Sequence, residues 1–428
     1  MNGLLSLVDS VLLFVFLTFY AGLFYNLPVL AAGVRDLRKS RRKKKSTDNA
    51  NEEKTLPCFS IIVPVKNEKP VIGRILESLG CLQYPVDKFE IVVVDDGSID
   101  GTAEICREFA SSHVNFKFLQ RNDPRGKASA LNYAVAHSIG EIIAVFDADN
   151  VPAGDALLLA AEHFRDSEVA AVQGRIHSIN SHENMLTRFL AYEDAVWCEA
   201  FLRGKDKLGL FVHLRGCCQF VRRSVLEDLG GFDEDALAED IEISARLTEK
   251  HHTIKYGGDI RAWQESPSKL TSFLKQRTRW YRGHMEVALK YGRLLKNVNR
   301  RNLDAELTLF MPFLAIASIF LFMFASWGVF SALPLDGVLD ILMVFFTFTT
   351  YILIFLTGLA LIYVSKPKRV KNLLWLPFVF GYWCVQSFVA FYAGLLILFR
   401  RPRHWIKTEK SGSVASPEFV LETSKGES

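Results

Sequence analysis

The chain has 428 residues, with 51 Lys and Arg against 47 Asp and Glu, for a formal net charge of +4. So small an excess gives no reason to expect nucleic acid as a partner. The seven cysteines form no C-x-x-C pairs and no zinc spacing, which argues against a zinc module and leaves reduced thiols as the reading.

Half the residues are hydrophobic and 33 are Phe, but they are unevenly spread. The first apolar run covers 11–33 and exceeds the ~20 residues that cross a bilayer. A signal peptide would need a charged start and a small-residue cleavage site, and neither is present. A basic block follows: Arg35, Arg38, Lys39, Arg41, Arg42, Lys43, Lys44 and Lys45. Beside a span, such charge favours the cytoplasmic side and contact with lipid headgroups. The predicted order is a transmembrane helix over 1–33 and a basic linker over 34–56, whose polar part is 46–56.

Strands and helices then alternate over 57–265. Nearly continuous apolar runs at Cys58–Val65, Phe89–Val94, Glu141–Phe146 and Val169–Gln173 read as buried strands. Helical patterns such as Val71–Leu82 and Ala128–His137 fall between them. This predicts an α/β domain with a mostly parallel, Rossmann-like sheet. In such sheets ligands sit beyond the carboxyl ends of the strands. Those ends carry Lys66-Asn67-Glu68, Asp95-Asp96-Gly97 and Asp147-Ala148-Asp149.

A long amphipathic helix is expected over 266–300, with Ser266 as N-cap and Pro267 in the first turn. Leu270, Phe273, Leu274, Tyr281, Met285, Ala288 and Leu295 form its apolar stripe, while Gln276, Arg279 and Trp280 share a neighbouring face. Three more apolar runs, 308–331, 337–364 and 372–399, predict transmembrane helices within 301–407. Three trailing spans would place the tail outside, yet Arg400, Arg401, Arg403, His404 and Lys407 should stay inside. The sequence leaves that conflict open. The Ser- and Glu-rich tail over 408–428 reads as disordered.

The chemistry-bearing residues follow the same order. Asp147 and Asp149 stand together at a strand end, where two carboxylates repel unless a cation joins them. Mg2+ or Mn2+, held by these oxygens and by substrate phosphates, fits. Gly126-Lys127 opens a helix and suits a diphosphate. Asp240, in Ala238-Glu239-Asp240, is the candidate base, with Glu239 next to it. Arg279 can neutralise a leaving diphosphate and Trp280 can stack on a sugar or cap an acceptor channel.

The ordered set is Val63-Pro64-Val65-Lys66-Asn67-Glu68, Asp95-Asp96-Gly97-Ser98-x-Asp100-Gly101-Thr102, Gly126-Lys127-x-x-Ala130-Leu131-Asn132, Asp147-x-Asp149, Glu239-Asp240 and Gln276-x-x-Arg279-Trp280. It resembles the membrane-bound family-2 glycosyltransferases, and within them the processive cellulose, hyaluronan, chitin-oligosaccharide and poly-N-acetylglucosamine synthases. The motifs cover about 57–285. The resemblance implies a GT-A fold, transfer with inversion, a nucleotide-sugar donor (usually a UDP-sugar) and a carbohydrate or lipid acceptor at a cell membrane. It places Pro64, Lys66, Asn67, Glu68 and Asp147 on the donor side and Asp95 or Asp96 at the nucleoside. Lys127 then lies near the phosphates, Asp149 at the metal, and Asp240 is the base. Gln276, Arg279 and Trp280 line the donor–acceptor junction. Ala238 stands where many members have Thr. Arg215-Gly216-Cys217-Cys218-Gln219 occupies a varied acceptor-lining segment, so the acceptor is not inherited. A runner-up is single addition to a lipid, as in ceramide glucosyltransferases. A sensor or a transporter is the non-catalytic alternative. Intact Asp149, Asp240 and Trp280 argue against the sensor, and the scarcity of ionisable residues in the later spans argues against the transporter.

Overall fold

The computed structural model describes residues 24–40, 56–292, 299–331 and 376–403, with scattered positions outside these stretches that include Lys410 and Gly412. Most of the expected first span, the run 337–364, Leu295 and nearly all of the tail lie outside the described residues.

A first helix, α1, covers 24–40. The domain that follows opens with strand β1 (Phe59–Val65), helix α2 (Ile72–Gly80), β2 (Phe89–Asp95), α3 (Thr102–Ser112), β3 (Phe116–Gln120), α4 (Lys127–Ala136) and β4 (Ile142–Val145). β1 and β2 are buried at almost every residue, which is why they read as unbroken apolar runs. They pair in parallel with each other, and β3 and β4 extend the sheet in parallel on either side. Pro64 is tolerated in central β1 because pairing with β4 ends at Ile62, opposite Val145.

The second half holds β5 (Val151–Pro152), α5 (Ala156–His163), β6 (Val169–Ser178), α6 (Met185–Val196), α7 (Arg203–Lys207), β7 (Gln219–Arg222), α8 (Arg223–Asp228), α9 (Glu239–Glu249) and β8 (Thr253–Gln264). The sheet order is β3-β2-β1-β4-β7-β6-β8-β5. The expectation of a mostly parallel sheet holds for four of the seven pairings, β1–β2, β1–β4, β2–β3 and β6–β8. β7 runs antiparallel to both β4 and β6, and β5 antiparallel to β8, so the sheet is mixed. One apolar layer packs between β1, β2 and α2, and a second lies on the opposite face under α4 and α9.

Helix α10 (Leu270–Tyr291) carries the expected clamp, and α11 (Arg300–Ser331) and α12 (Leu376–Leu398) follow. α10 starts four residues later than predicted. Ser266 is not its cap: the Ser266 N–H donates to Asn180 Oδ1 at 2.9 Å and its hydroxyl to Ser178 at 2.8 Å. Lys269 takes the cap position without a side-chain bond. In the predicted stripe Phe273, Met285 and Ala288 are buried, whereas Leu270 is exposed. Among the described residues, one segment, Gly381–Leu398, is long and apolar enough to cross a membrane.

Polar contacts fasten these helices to the domain. Arg203 pairs with Asp36 of α1 at 3.1 Å. Lys205 pairs with Asp304 of α11 at 3.0 Å, and Asp304 also accepts the Phe211 N–H. Glu193 of α6 accepts Arg277 of α10 and both Tyr382 and Gln386 of α12, the last two at 2.7 Å. A partly buried carboxylate with three donors is satisfied, and losing a partner would weaken the joint between these helices. At the far end of α12, Arg282 donates to the carbonyls of Arg401 and Pro402, and Arg403 pairs with Glu286 at 3.1 Å. The basic segment after the last helix thus sits against α10.

α10 meets the start of α9 at Gly283, where an added Cβ would stand 2.7 Å from Ala238 Cβ. The small residue at 238 and the glycine at 283 permit this crossing. Gly283→Val is expected to cost about 1–3 kcal/mol through overpacking and to lower the thermal midpoint of the purified protein. An unchanged midpoint would mean that the helices can separate freely.

Candidate active site

Three strand ends and the start of α9 build the site. After β4, the backbone turns through Asp147-Ala148-Asp149, and Asn150 fixes that turn by accepting the Asp147 N–H at 3.0 Å. Asp149 is buried and Asp147 partly open. The two carboxylates converge: one donor, Gln264 Nε2, lies 3.3 Å from Asp147 Oδ2 and 3.3 Å from Asp149 Oδ1. The pair expected from the sequence is therefore brought together. Among the described residues no third His, Cys, Asp or Glu joins it to complete a metal cluster. Two oxygen ligands on a partly open edge suit a hard divalent cation that keeps waters and takes the rest of its shell from phosphates.

Each carboxylate also carries an ammonium. Lys127 Nζ is 2.8 Å from Asp147 Oδ1, and Lys410 Nζ is 2.5 Å from Asp149 Oδ2. Lys127 continues to Glu239 Oε1 at 3.1 Å and donates to the Gly216 carbonyl at 2.9 Å. Burial disfavours the Lys127 charge, but Asp147 and Glu239 outweigh it and push its pKa upward. Lys127 was expected at the phosphates; the structure makes it the tie between β4, α9 and the Gly216 turn. At the α4 N-terminus, expected to cradle a diphosphate, the two N–H groups just before Lys127 are taken by one carboxylate. Asp96 accepts the Gly126 N–H at 2.9 Å and the Arg125 N–H at 3.3 Å.

The donor-side residues cluster as expected, but several are committed to one another. Asp95 caps its own turn, accepting the Ser98 N–H at 3.0 Å. Arg121 donates to Asp96 Oδ1, shared with the Arg125 N–H, at 2.9 Å, and Lys66 is 3.9 Å from Asp96 Oδ2. Asn67 has φ 55° and accepts the Ile99 N–H at 2.8 Å, while the Glu68 N–H donates to Thr102. Pro64 pairs opposite Val94 just before this cluster. These bonds close the β1 and β2 ends into one rigid edge.

Asp240 stands at the first turn of α9, half-buried. Burial and Glu239 raise its pKa from 3.8 to about 7, against the pull of Lys127, the Ile241 N–H and Arg279. A carboxyl poised near neutrality suits a general base. Gly216 makes room for it. A Cβ there would be 3.2 Å from Asp240 Oδ2 and 3.3 Å from Lys127 Nζ, and its φ of 78° favours glycine independently.

On α10, Arg279 lies close enough to act on Asp240. The Arg277 guanidinium stacks 4.6 Å from the Trp280 ring while it binds Glu193. One face of the indole is thus occupied by the chain itself. Gln276 is half-buried on the same helix. The sequence reading missed Gln264 and Gln173, and named Gln219 only as part of the varied acceptor-lining segment. Gln173 accepts the Arg215 N–H at 2.8 Å and Gln219 the Gly216 N–H at 3.0 Å, which together hold the Gly216 turn. No motif announces them, because an isolated Gln carries no spacing signal.

The family-2 glycosyl transferase pattern matches residues 60–230. A probable glycosyltransferase of Bacillus subtilis (strain 168), YdaM, is 30% identical over 411 residues, spanning 91% of this chain and 94% of its own. The β-monoglucosyldiacylglycerol synthase of Nostoc sp. is 36% identical over 248 residues, 57% of this chain and 52% of that one. The poly-β-1,6-N-acetyl-D-glucosamine synthase of Staphylococcus epidermidis is 32% identical over 241 residues, 56% of this chain and 58% of that one. The match thus spans only about half the length of these two synthases. In fold, the chain is similar to a mannosyltransferase from Pyrobaculum calidifontis in complex with GDP-Man and Mn2+, with a TM-score of 0.59, 22% identity, and 91% of this chain and 100% of that chain covered. The chain belongs to the family-2 glycosyltransferases, and its domain is of the GT-A type. It is a glycosyltransferase.

Asp240→Asn is expected to cut sugar transfer by about 10²–10⁴-fold, the usual worth of general acid–base catalysis. Because the folded state holds the Asp240 proton more tightly than the unfolded chain, stability falls as pH rises from 3.8 to about 7. The substitution should therefore raise the thermal midpoint at pH 8 while it removes activity. The wild-type rate should climb with pH and level off above about 7. Near-normal transfer by the variant would move the base to Glu239.

Proposed function

We propose that this chain is an inverting, metal-dependent glycosyltransferase of the cell membrane, moving a sugar from a UDP-sugar to a growing polysaccharide or oligosaccharide. The observation that carries the reading is Asp240: a single carboxyl, raised to about 7, beside Lys127 and facing Arg279 across the α9–α10 crossing. One base suffices when the acceptor hydroxyl attacks the sugar directly and inverts it. Asp240 takes the hydroxyl proton. Arg279 faces the leaving diphosphate, and Trp280 and Gln276 line the junction where the acceptor arrives. Asp95 and Asp96 with Lys66, Asn67 and Glu68 form the nucleoside side. Asp147 and Asp149 would hold Mg2+ or Mn2+, which when bound neutralises the diphosphate of the donor. The Mn2+ named with the Pyrobaculum protein supports the choice of ion.

The catalytic domain faces the cytoplasm in this reading, with α1, α11 and α12 among several spans. The basic residues Arg35, Arg38 and Lys39 of α1 and Arg400, Arg401 and Arg403 after α12 support it, since α1 is tied to Arg203 and the segment after α12 to Arg282 of α10. The single-addition reading, transfer to a membrane lipid, is favoured by the 36% identity with a diacylglycerol-glucosylating synthase. The two are separated by feeding membranes that contain the protein with each common UDP-sugar and weighing the products. A ladder of masses is expected; one glycolipid mass would establish single addition instead. Activity should vanish in EDTA and return with Mg2+ or Mn2+, and full turnover in chelator would remove the metal from the mechanism.

A further inference from the structure

Where the apolar stretch of α12 ends, a cavity of about 460 Å³ opens between the second half of α10 and the segment 400–403. Its apolar wall is Leu289 of α10 and Ile397 of α12. The guanidinium groups of Arg282, Arg400, Arg401 and Arg403 outnumber its one carboxylate, Glu286. Arg282 and Arg403 pair with that carboxylate at 3.0 and 3.1 Å, so their charge is partly spent. Arg400 and Arg401 are exposed, and among the described residues neither side chain has a carboxylate partner. The apolar neighbours are equally open: Leu289 is 61% exposed, Leu398 71% and Phe399 67%. The backbone is strained here as well. Arg400 has φ 50°, in the left-handed region. Its N–H donates to the Ile397 carbonyl and the Arg401 N–H to the Leu396 carbonyl, both at 2.9 Å. This is a helix-ending turn whose left-handed position usually holds glycine, because a side chain there costs free energy. An arginine kept at such a position points to a use for its guanidinium. Balancing the helix dipole does not require it, since Arg401 and Arg403 bring the same charge from an unstrained backbone.

We propose that this pocket binds the phosphate of an anionic phospholipid headgroup, with Arg400 and Arg401 as its donors. The inference rests on the reading of α12 as a membrane span given above. Gly381–Leu398 is long and apolar enough to cross a bilayer, and the pocket begins within its last turn, which is headgroup depth for such a span. A phosphate in solution would need the guanidinium groups alone. The exposed Leu289, Leu398 and Phe399 call for apolar material beside the phosphate, and the acyl chains of a phospholipid supply it. The excess of guanidinium over carboxylate favours a headgroup of net negative charge over a zwitterionic one. Arg282, Glu286 and Leu289 lie on the helix that also carries Arg279 and Trp280. A bound headgroup would therefore tie α10 to the membrane surface close to the site.

The test is native mass spectrometry of the full-length protein in detergent, titrated with phosphatidylglycerol or with phosphatidylcholine. Phosphatidylglycerol should bind more tightly. Arg400→Gly and Arg401→Gln should each weaken it about fivefold, the worth of one basic residue at an anionic surface, and leave phosphatidylcholine unchanged. Arg400→Gly should also raise the thermal midpoint of the lipid-free protein, because glycine relieves the left-handed position. Arg401→Gln should leave that midpoint as it is, and it carries the comparison by itself if Arg400→Gly fails to fold. Excess inorganic phosphate should not displace the lipid. Equal phosphatidylglycerol affinity in wild type and variants would overturn the pocket and leave the membrane reading standing. Displacement by inorganic phosphate would overturn the lipid as occupant. Protein that stays in solution without detergent once membranes are removed would take away the membrane reading, and the lipid with it.

Discussion

The site depends on one buried ammonium. Lys127 joins the Asp147 turn after β4, the Glu239 start of α9 and the Gly216 carbonyl after the α7–β7 connection. These three segments are far apart in sequence and share no backbone ladder at the point where they meet. A charge taken out of water survives only when it is closely partnered, so the partners hold their positions. Remove the ammonium and two carboxylates and Asp240 would confront one another with nothing between them. Asp147, Glu239 and the Asp240 carboxyl are thereby gathered around a single cation.

Close packing supplies the rest of the precision. Two glycines are required for steric reasons that differ. At Gly216 the polar ends of Asp240 and Lys127 occupy the place of a side chain. At Gly283 the backbone of α10 approaches Ala238 closely enough that a Cβ would collide. The first sets the distance between base and cation. The second sets how near α10, with Arg279 and Trp280, comes to that base. α10 is in turn held from the other side by Glu193, which binds α6, α10 and α12 together through Arg277, Tyr382 and Gln386. A disturbance among the apolar helices thus has a short mechanical route to the catalytic carboxyl.

Much of this was legible in the chain. β1, β2, β4 and β6 showed as apolar runs because both faces of the sheet are covered, and their polar ends marked the functional edge in advance. Asp147 with Asp149, and Asp240 after Glu239, stood out because carboxylates at the ends of buried segments have no structural need. The antiparallel β7 did not show, since Gln219–Arg222 is short and begins with a buried Gln that serves the Gly216 turn. Nor did the true start of α10, because Ser266 and Pro267 look like a cap but Ser266 is claimed at its N–H and carbonyl by Asn180. The partners of single residues were the least legible. Lys127 and Gly126 resemble a phosphate cradle in sequence, yet their donors are satisfied by Asp147, Glu239 and Asp96. Sequence spacing gives which groups converge; only the distances give which of them neutralise one another.

That distinction bears on how the base works. Asp240 is raised to about 7 by burial and by Glu239, and Lys127 opposes the rise. Lys127 divides its charge between Asp147 and Glu239. Any cation that takes over Asp147 leaves Lys127 to Glu239 and Asp240 alone, and a positive charge nearer a carboxyl favours its ionised form. Loading the donor side would therefore lower the pKa of Asp240 and make it a ready proton acceptor when a sugar is in place, while the empty site keeps it partly protonated. The same ammonium that assembles the site thus links its two halves, with no movement of the backbone required.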